Sequence, residues 1–206
     1  MGLSAAQIKE SLDWVAAREP AIARAVEEAG YPTPRLRPRG WHTLLRTIVG
    51  QQVSVAAANA MWAKLEAELG RDMRAADLLA RDYDTLRACG LSRQKQAYAR
   101  SLCELVEGGL DFSNLPADDE AAIAELTRIK GVGRWSAEIY LLFAEGRPDI
   151  WPAGDLAVMA ALGGILGLDA RPDEKTTRLL AEQWRPHRGA VAIFTWHWYA
   201  ASREPV

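Results

Sequence analysis

The spacing of apolar residues is helical along nearly the whole chain. AAQIKESLDWVAA and AIARAVEEAG read as two short amphipathic helices, the second closed by Gly30. YPTPRLRPRG is a Pro- and Arg-rich connector. WHTLLRTIVGQQVSVAAANAMWAKLEAELG holds one or two long helices, interrupted around Gly50 and Gln51 and ending at Gly70. DYDTLRACGLSRQKQAYARSLCELVEGG reads as helix, a turn at Gly90–Leu91, then a second helix with Ser92 as its N-cap. PADDEAAIAELTRIK opens with acidic residues and repeats Ile123, Leu126 and Ile129 on one face. RWSAEIYLLFAEG, DLAVMAALGGILG, PDEKTTRLLAEQW and PHRGAVAIFTWHWYAAS complete the chain as helices. Strand-like alternation with hairpin dipeptides is absent, so the predicted class is all-α.

One interruption stands out. GVGRWS places Gly131 and Gly133 between helical stretches, where each glycine costs about 1 kcal/mol against alanine. A dinucleotide fingerprint needs a preceding strand and a third glycine, and Ser136 stands at that third position. A helix–tight hairpin–helix fits better. The N-terminus of its second helix points backbone N–H groups outward and suits a phosphate, with Lys130 and Arg134 alongside. The alternative is an ordinary αα-corner that needs glycine for its geometry alone.

Composition narrows the classes. The 206 residues are 49% apolar and 25% charged, enough for one large domain or two small ones around a sizeable core. Net charge is −2 and the pI about 6.0, which argues against a protein that coats nucleic acid generally. Grip on a few phosphates through backbone amides remains compatible with that charge. No apolar run reaches bilayer length and the N-terminus does not read as a signal peptide, so a cytoplasmic protein with no membrane partner is expected. Cys89 and Cys103 are the only cysteines, too few for a zinc site or a four-cysteine iron–sulfur cluster. His42, His187 and His197 lack metal-ligand spacing, and the last two read as packing or surface residues.

LTRIKGVGRWSAE resembles the helix–hairpin–helix element of the base-excision DNA glycosylases, the HhH-GPD superfamily. WPAGD, about twenty residues on, resembles the Gly/Pro-rich stretch and aspartate that follow it there. IVGQQVS and ACGLSRQKQAYARSL are similar to segments of the 3-methyladenine DNA glycosylase II type. The likeness runs from about Trp41 to Tyr199, in a compact form lacking the N-terminal β domain of longer members. It implies two helical subdomains flanking a DNA- and base-binding cleft. Residues 1–40 would hold the N-terminal helices and connector, and 41–206 the glycosylase domain. That domain would divide into a helical subdomain to about 115, the hairpin and catalytic segment over about 116–170, and C-terminal helices packing back on the N-terminal ones. The implied partner is damaged double-stranded DNA, bound by a monomer.

Asp155 follows Pro152 and Gly154 and precedes an apolar helix, so the residues alone read as an N-cap. The resemblance makes it the catalytic carboxylate, and the roles are compatible because a helix N-terminus favours the ionised form. An anion beside C1′ stabilises the oxocarbenium-like charge that builds as a glycosidic bond breaks, and can orient or deprotonate water. Bifunctional relatives carry a lysine after the hairpin for Schiff-base chemistry. This chain has Trp135, which implies base release without strand nicking. Eight tryptophans are many for this length, and core packing is their default. The resemblance assigns Trp135 and Trp196 to a base pocket, where an indole face attracts a cationic alkylated purine. Ile139 and Leu156 stand where aromatics occur in a better-known relative, which bears on substrate range; the alternative readings are a glycosylase for deaminated or etheno-adducted bases and a non-catalytic helix–hairpin–helix DNA-binding module.

Gln51 and Gln52 match the intercalating position of relatives, Gln52 being the candidate wedge; helix-surface polarity is its other reading. Ser92 with Lys95 would give a second phosphate contact, beside that of Gly131, Val132, Gly133 and Arg134. Relatives bind a monovalent cation through hairpin carbonyls, here Thr127, Ile129 and Val132. No other cofactor is implied.

Overall fold

A computed structural model describes residues 2–203, so the ends of the expected divisions at 1 and at 204–206 lie outside it. Every regular element among the described residues is helical. In chain order they are α1 Ala5–Ala16, α2 Pro20–Ala29, α3 Trp41–Gly50, α4 Val55–Leu69, α5 Ala75–Leu79, α6 Tyr83–Ala88 and α7 Arg93–Glu107. Then come α8 Asp119–Thr127, α9 Arg134–Tyr140, a π-helical turn over Leu141–Glu145, α10 Leu156–Leu166, α11 Glu174–Leu180, a 3-10 turn over Ala181–Trp184, and α12 Arg188–Ala201.

Short polar side chains start most of these helices. Ser4 and Gln7 form a reciprocal capping box on α1. Ser54, Asp82, Ser92, Asp118, Asp155 and Asp173 each accept backbone N–H groups in the first turn that follows. Such caps contribute about 1 kcal/mol each. Ile129 is buried, as its spacing suggested, but α8 has already ended at Thr127 and Ile129 belongs to the hairpin. The short α5 has too few residues to show a period.

The chain forms two compact units, and their boundaries differ from those expected. One unit combines the chain up to Arg37 with the chain from Glu138 onward; the other is Pro38–Ala137. The expected 116–170 segment is therefore split within α9, with the hairpin in one unit and Asp155 in the other. The reason is side-chain packing. The hairpin rests on α7, whereas the helix that Asp155 starts packs against α12 and α2.

In the first unit α10 is apolar on nearly every side and is covered by α12, α2 and α11. Leu12, Val15, Ile22, Leu162, Trp184 and Phe194 are fully or almost fully buried there. The start of α12 is pinned by Arg188, which donates to both oxygens of Asp149 at 2.8 and 2.9 Å and to Glu182 at 2.8 Å. His187 packs against Trp14 with the rings tilted at 41°, and His197 lies 2.8 Å from the Ala29 carbonyl, so both are packing residues.

In the second unit α7 is central, packed by α3, α5 and α6, with α4 against α3. Leu44, Leu45, Ile48, Leu65, Leu78, Leu86 and Leu102 form its core, each Leu contributing about 1.5–3 kcal/mol by leaving water. Cys89 and Cys103 are buried in this unit as free thiols. Burial pushes both thiols up, Cys103 to about 12. No helix among the described residues is long and apolar enough to cross a membrane.

Candidate functional site

Two constellations carry chemistry, one in each unit. The hairpin leaves α8 at Thr127 and enters α9 at Arg134. Gly131 has φ +80°, and a Cβ there would clash with three carbons of the Tyr98 ring. Gly133 differs: its φ is not positive, and a Cβ would meet nothing within 4 Å. The first glycine is required by the protein's own packing. The second faces open space, so nothing in the protein itself requires a glycine there.

The amides of the hairpin are not all turned outward. Val132 is buried and donates its N–H to the Ile129 carbonyl at 3.0 Å. Its amide is thus spent inside the turn, which corrects its place among the phosphate donors. Lys130 donates its backbone N–H to Ser101 Oγ at 3.1 Å. Arg134 is engaged with Glu120, Nη1 donating to Oε2 at 2.8 Å. Its side chain is 39% exposed in that pairing. Gly131 and Gly133 are both exposed.

Beside the hairpin is the loop after α3. Gln51 turns its amide onto the Gly131 carbonyl, Nε2 donating at 3.0 Å, so it joins loop to hairpin and does not stand out as a wedge. Gln52 does stand out. It is exposed, and at φ +57° it is the one non-glycine residue among those described with positive φ. Lys95 also departs from expectation. It is only 9% exposed, and its ammonium donates to the Val49 carbonyl at 2.7 Å, at the negative end of α3. Burial lowers its pKa. Of the pair expected to give a second phosphate contact, Ser92 is the exposed one, and it accepts the Lys95 N–H as N-cap. A cavity of about 760 Å³ is lined by Gln51, Gln52, Lys95, Tyr98, Gly131 and Trp135. Trp135 is 46% exposed, far more than a core tryptophan.

In the other unit, Asp155 caps α10 as its position predicts. Oδ1 accepts the N–H of Ala157 at 2.9 Å and of Val158 at 3.1 Å, and the indole Nε1–H of Trp196 at 3.1 Å. Three donors on one oxygen fix the plane of the carboxylate. Trp196 is half-buried, its ring 5.6 Å from that of Phe143. Phe143 sits in the π-helical turn, which adds a residue to the α9 run and shifts the side chains that follow. Behind Asp155, a Cβ on Gly154 would lie 3.3 Å from a Glu174 carboxylate oxygen. Glu174 in turn pairs with Arg178, which also reaches buried Glu138 at 3.7 Å. Ile139 is buried and Leu156 is 63% exposed.

Tyr98, Ser101 and Phe143 were not singled out in the sequence. Tyr98 and Ser101 follow Lys95 at steps of three, a stripe visible in SRQKQAYARS once the helix is placed. Among the described residues no group of three or more His, Cys, Asp or Glu could hold a metal ion. A hairpin cation would instead need carbonyls, and the Ile129 carbonyl already takes one N–H from Val132.

The chain matches the HhH-GPD superfamily of base excision DNA repair proteins over residues 45–186. It is 30% identical to DNA-3-methyladenine glycosylase 1 of Schizosaccharomyces pombe over 161 residues, covering 76% of this chain and 71% of that protein. Escherichia coli DNA-3-methyladenine glycosylase 2 is 25% identical over 166 residues, covering 74% of this chain and 55% of the other. Among solved structures, the DNA-3-methyladenine glycosidase of Bacillus halodurans superposes with a TM-score of 0.86 at 29% identity, covering 94% of this chain and 91% of its own. The S. pombe 3-methyladenine DNA glycosylase in complex with abasic DNA superposes at 0.76 with 27% identity, covering 91% and 95%.

Proposed function

This chain belongs to the HhH-GPD superfamily of base excision DNA repair proteins, and from that premise we propose that it is a monofunctional DNA glycosylase that excises alkylated purines. The observation that carries the reading is the carboxylate of Asp155, held on one oxygen by two backbone N–H groups and the Trp196 indole. In the reaction the bond from the purine nitrogen to C1′ breaks and its electron pair leaves with the base. N-alkylation makes the base cationic beforehand, so it departs neutral and needs no strong general acid. Positive charge builds on the deoxyribose, and the anion of Asp155 stabilises it. Water then adds to C1′, its proton passing to the carboxylate or to solvent, and an abasic site remains.

Trp135 stands where a Schiff-base lysine would be, and an indole cannot form an imine, so the product strand stays intact. Trp135 and Trp196 are the aromatic side chains assigned to the base. Gln52 is the residue assigned to the gap left by the flipped nucleotide. Gly131, Gly133 and Ser92 bring backbone close to phosphate, which suits a chain of net charge −2. The carbonyls of Thr127, Ile129 and Val132 offer a weak, all-oxygen donor set suited to sodium or potassium and not to a transition metal. Damaged duplex DNA is the partner, bound by a monomer wherever the DNA lies.

Leu156, exposed in place of an aromatic, favours a second substrate class with bulkier or neutral bases, such as etheno-adducts. The test is release of free bases from methylated duplex DNA by wild type and Asp155→Asn, with DNA binding measured in parallel. Release by wild type alone, with binding kept by both, supports the reading. Binding by both without release from methylated DNA or from a panel of single-lesion duplexes would replace it with a non-catalytic module.

A further inference from the structure

The face of α7 that begins at Lys95 touches both exposed elements of its unit. Lys95, Tyr98 and Ser101 lie at successive steps of three, a row that winds about 120° around the helix over about 9 Å and so can meet both loop and hairpin. Lys95 holds the Val49 carbonyl, the last turn before the Gln51–Gln52 loop. The Tyr98 ring occupies the space that a side chain at Gly131 would need. Ser101 Oγ accepts the Lys130 N–H, the entry to the hairpin. The Gln51 amide then joins loop to hairpin directly through the Gly131 carbonyl. These contacts close a ring: α7 to loop, loop to hairpin, hairpin to α7.

We propose that α7 is a common mount on which the Gln52 loop and the glycine hairpin are held as one rigid frame, with Lys95, Tyr98, Ser101 and Gln51 as its positioning residues. None of the four needs to touch DNA. The frame fixes how far the wedge stands from the phosphate grip, so that a grip on the strand sets Gln52 at the right depth. Lys95 is suited to its place: its ammonium is withdrawn from water onto a helix C-terminus, where positive charge is favoured. The functional part of this inference rests on the glycosylase reading; the mechanical part does not.

Two measurements test it. The first is amide hydrogen exchange on the free protein. The Gln51 N–H is held by the Ile48 carbonyl and the Val132 N–H by the Ile129 carbonyl, so each reports on one arm of the frame. Lys95→Met and Ser101→Ala are each expected to speed exchange at both amides by at least threefold, with the α8 amides unchanged. Ser101→Ala is mild enough to keep the test open should Lys95→Met not fold. If each variant affects only its own arm, the frame does not exist and the proposal falls.

The second is base release from a methylated oligonucleotide, single-stranded or annealed to its complement. A frame that sets the wedge matters only when the base must leave a stack. Ser101→Ala and Gln51→Ala are therefore expected to lose about tenfold on duplex and less than threefold on single strand. Equal losses on both would mark a general structural defect and overturn the proposal. Should wild type release no base from either, the glycosylase reading fails while the exchange result still decides on the frame.

Discussion

Around Gly131 the chain arranges backbone, whereas around Asp155 it arranges a side chain. The hairpin and loop are tied through carbonyls, those of Val49, Gly131 and Ile129, and what they expose at Gly131 and Gly133 is bare main chain. At Asp155 three N–H donors converge on a single carboxylate oxygen. The two regions should therefore fail in opposite ways. A site made of backbone is damaged by adding atoms, and a site made of a side chain by removing them.

The largest effect is expected from removal. Asp155→Asn keeps an N-cap, so folding and DNA binding should persist, while base release falls by roughly 10²–10³-fold for loss of the charge-stabilising group. Single-turnover release with saturating enzyme checks this. Next comes addition. Gly131→Ala must place a Cβ in clash with the Tyr98 ring at φ +80°, and should destabilise by about 2–4 kcal/mol in urea unfolding. Gly133→Ala, with open space around it, should change stability by less than about 0.5 kcal/mol and yet weaken DNA binding. If both alanines prove equally harmful to stability, the distinction between an inward and an outward glycine is wrong.

A smaller removal separates the indole ring from its N–H. Trp196→Phe keeps an aromatic face and deletes the donor to Asp155, a bond to a charged group of about 1.5–3 kcal/mol, so the rate should fall about tenfold or more. An unchanged rate would mean that Trp196 acts only by its face. The smallest expected change is the stability of Gln52→Gly. Relief of the left-handed backbone is offset by extra freedom in the unfolded chain, leaving about 0.5 kcal/mol or less. Its duplex-specific loss of base release should be plain by comparison.

What the sequence made legible was local. Helices show where an apolar period meets a cap, as at Ser92 and Asp155, because donor and acceptor lie within three residues of each other. The π-helical turn hid inside the run YLLF, since an extra residue in an all-apolar stretch does not disturb its pattern. The departures at Gln51 and Lys95 have a different cause. Each side chain is directed by a carbonyl far along the chain, Gly131 for Gln51 and Val49 for Lys95. Neither residue type nor spacing reveals such a partner. The Asp155 cap could be read in the same way as any other, but its third donor comes from Trp196, 41 residues away. The glycine hairpin was visible as a motif; that its two glycines serve different masters required the Tyr98 ring to be in place.

The two thiols carry a consequence of another kind. Reagents that methylate purines in DNA also seek soft nucleophiles, and an ionised cysteine is the best of these that a protein offers. Cys89 and Cys103 are buried, and both are held protonated at neutral pH. On the function proposed above, the protein would work during exposure to the agents that cause alkylation damage. Buried and protonated, these two sulfhydryls should react slowly with such agents while the protein stays folded.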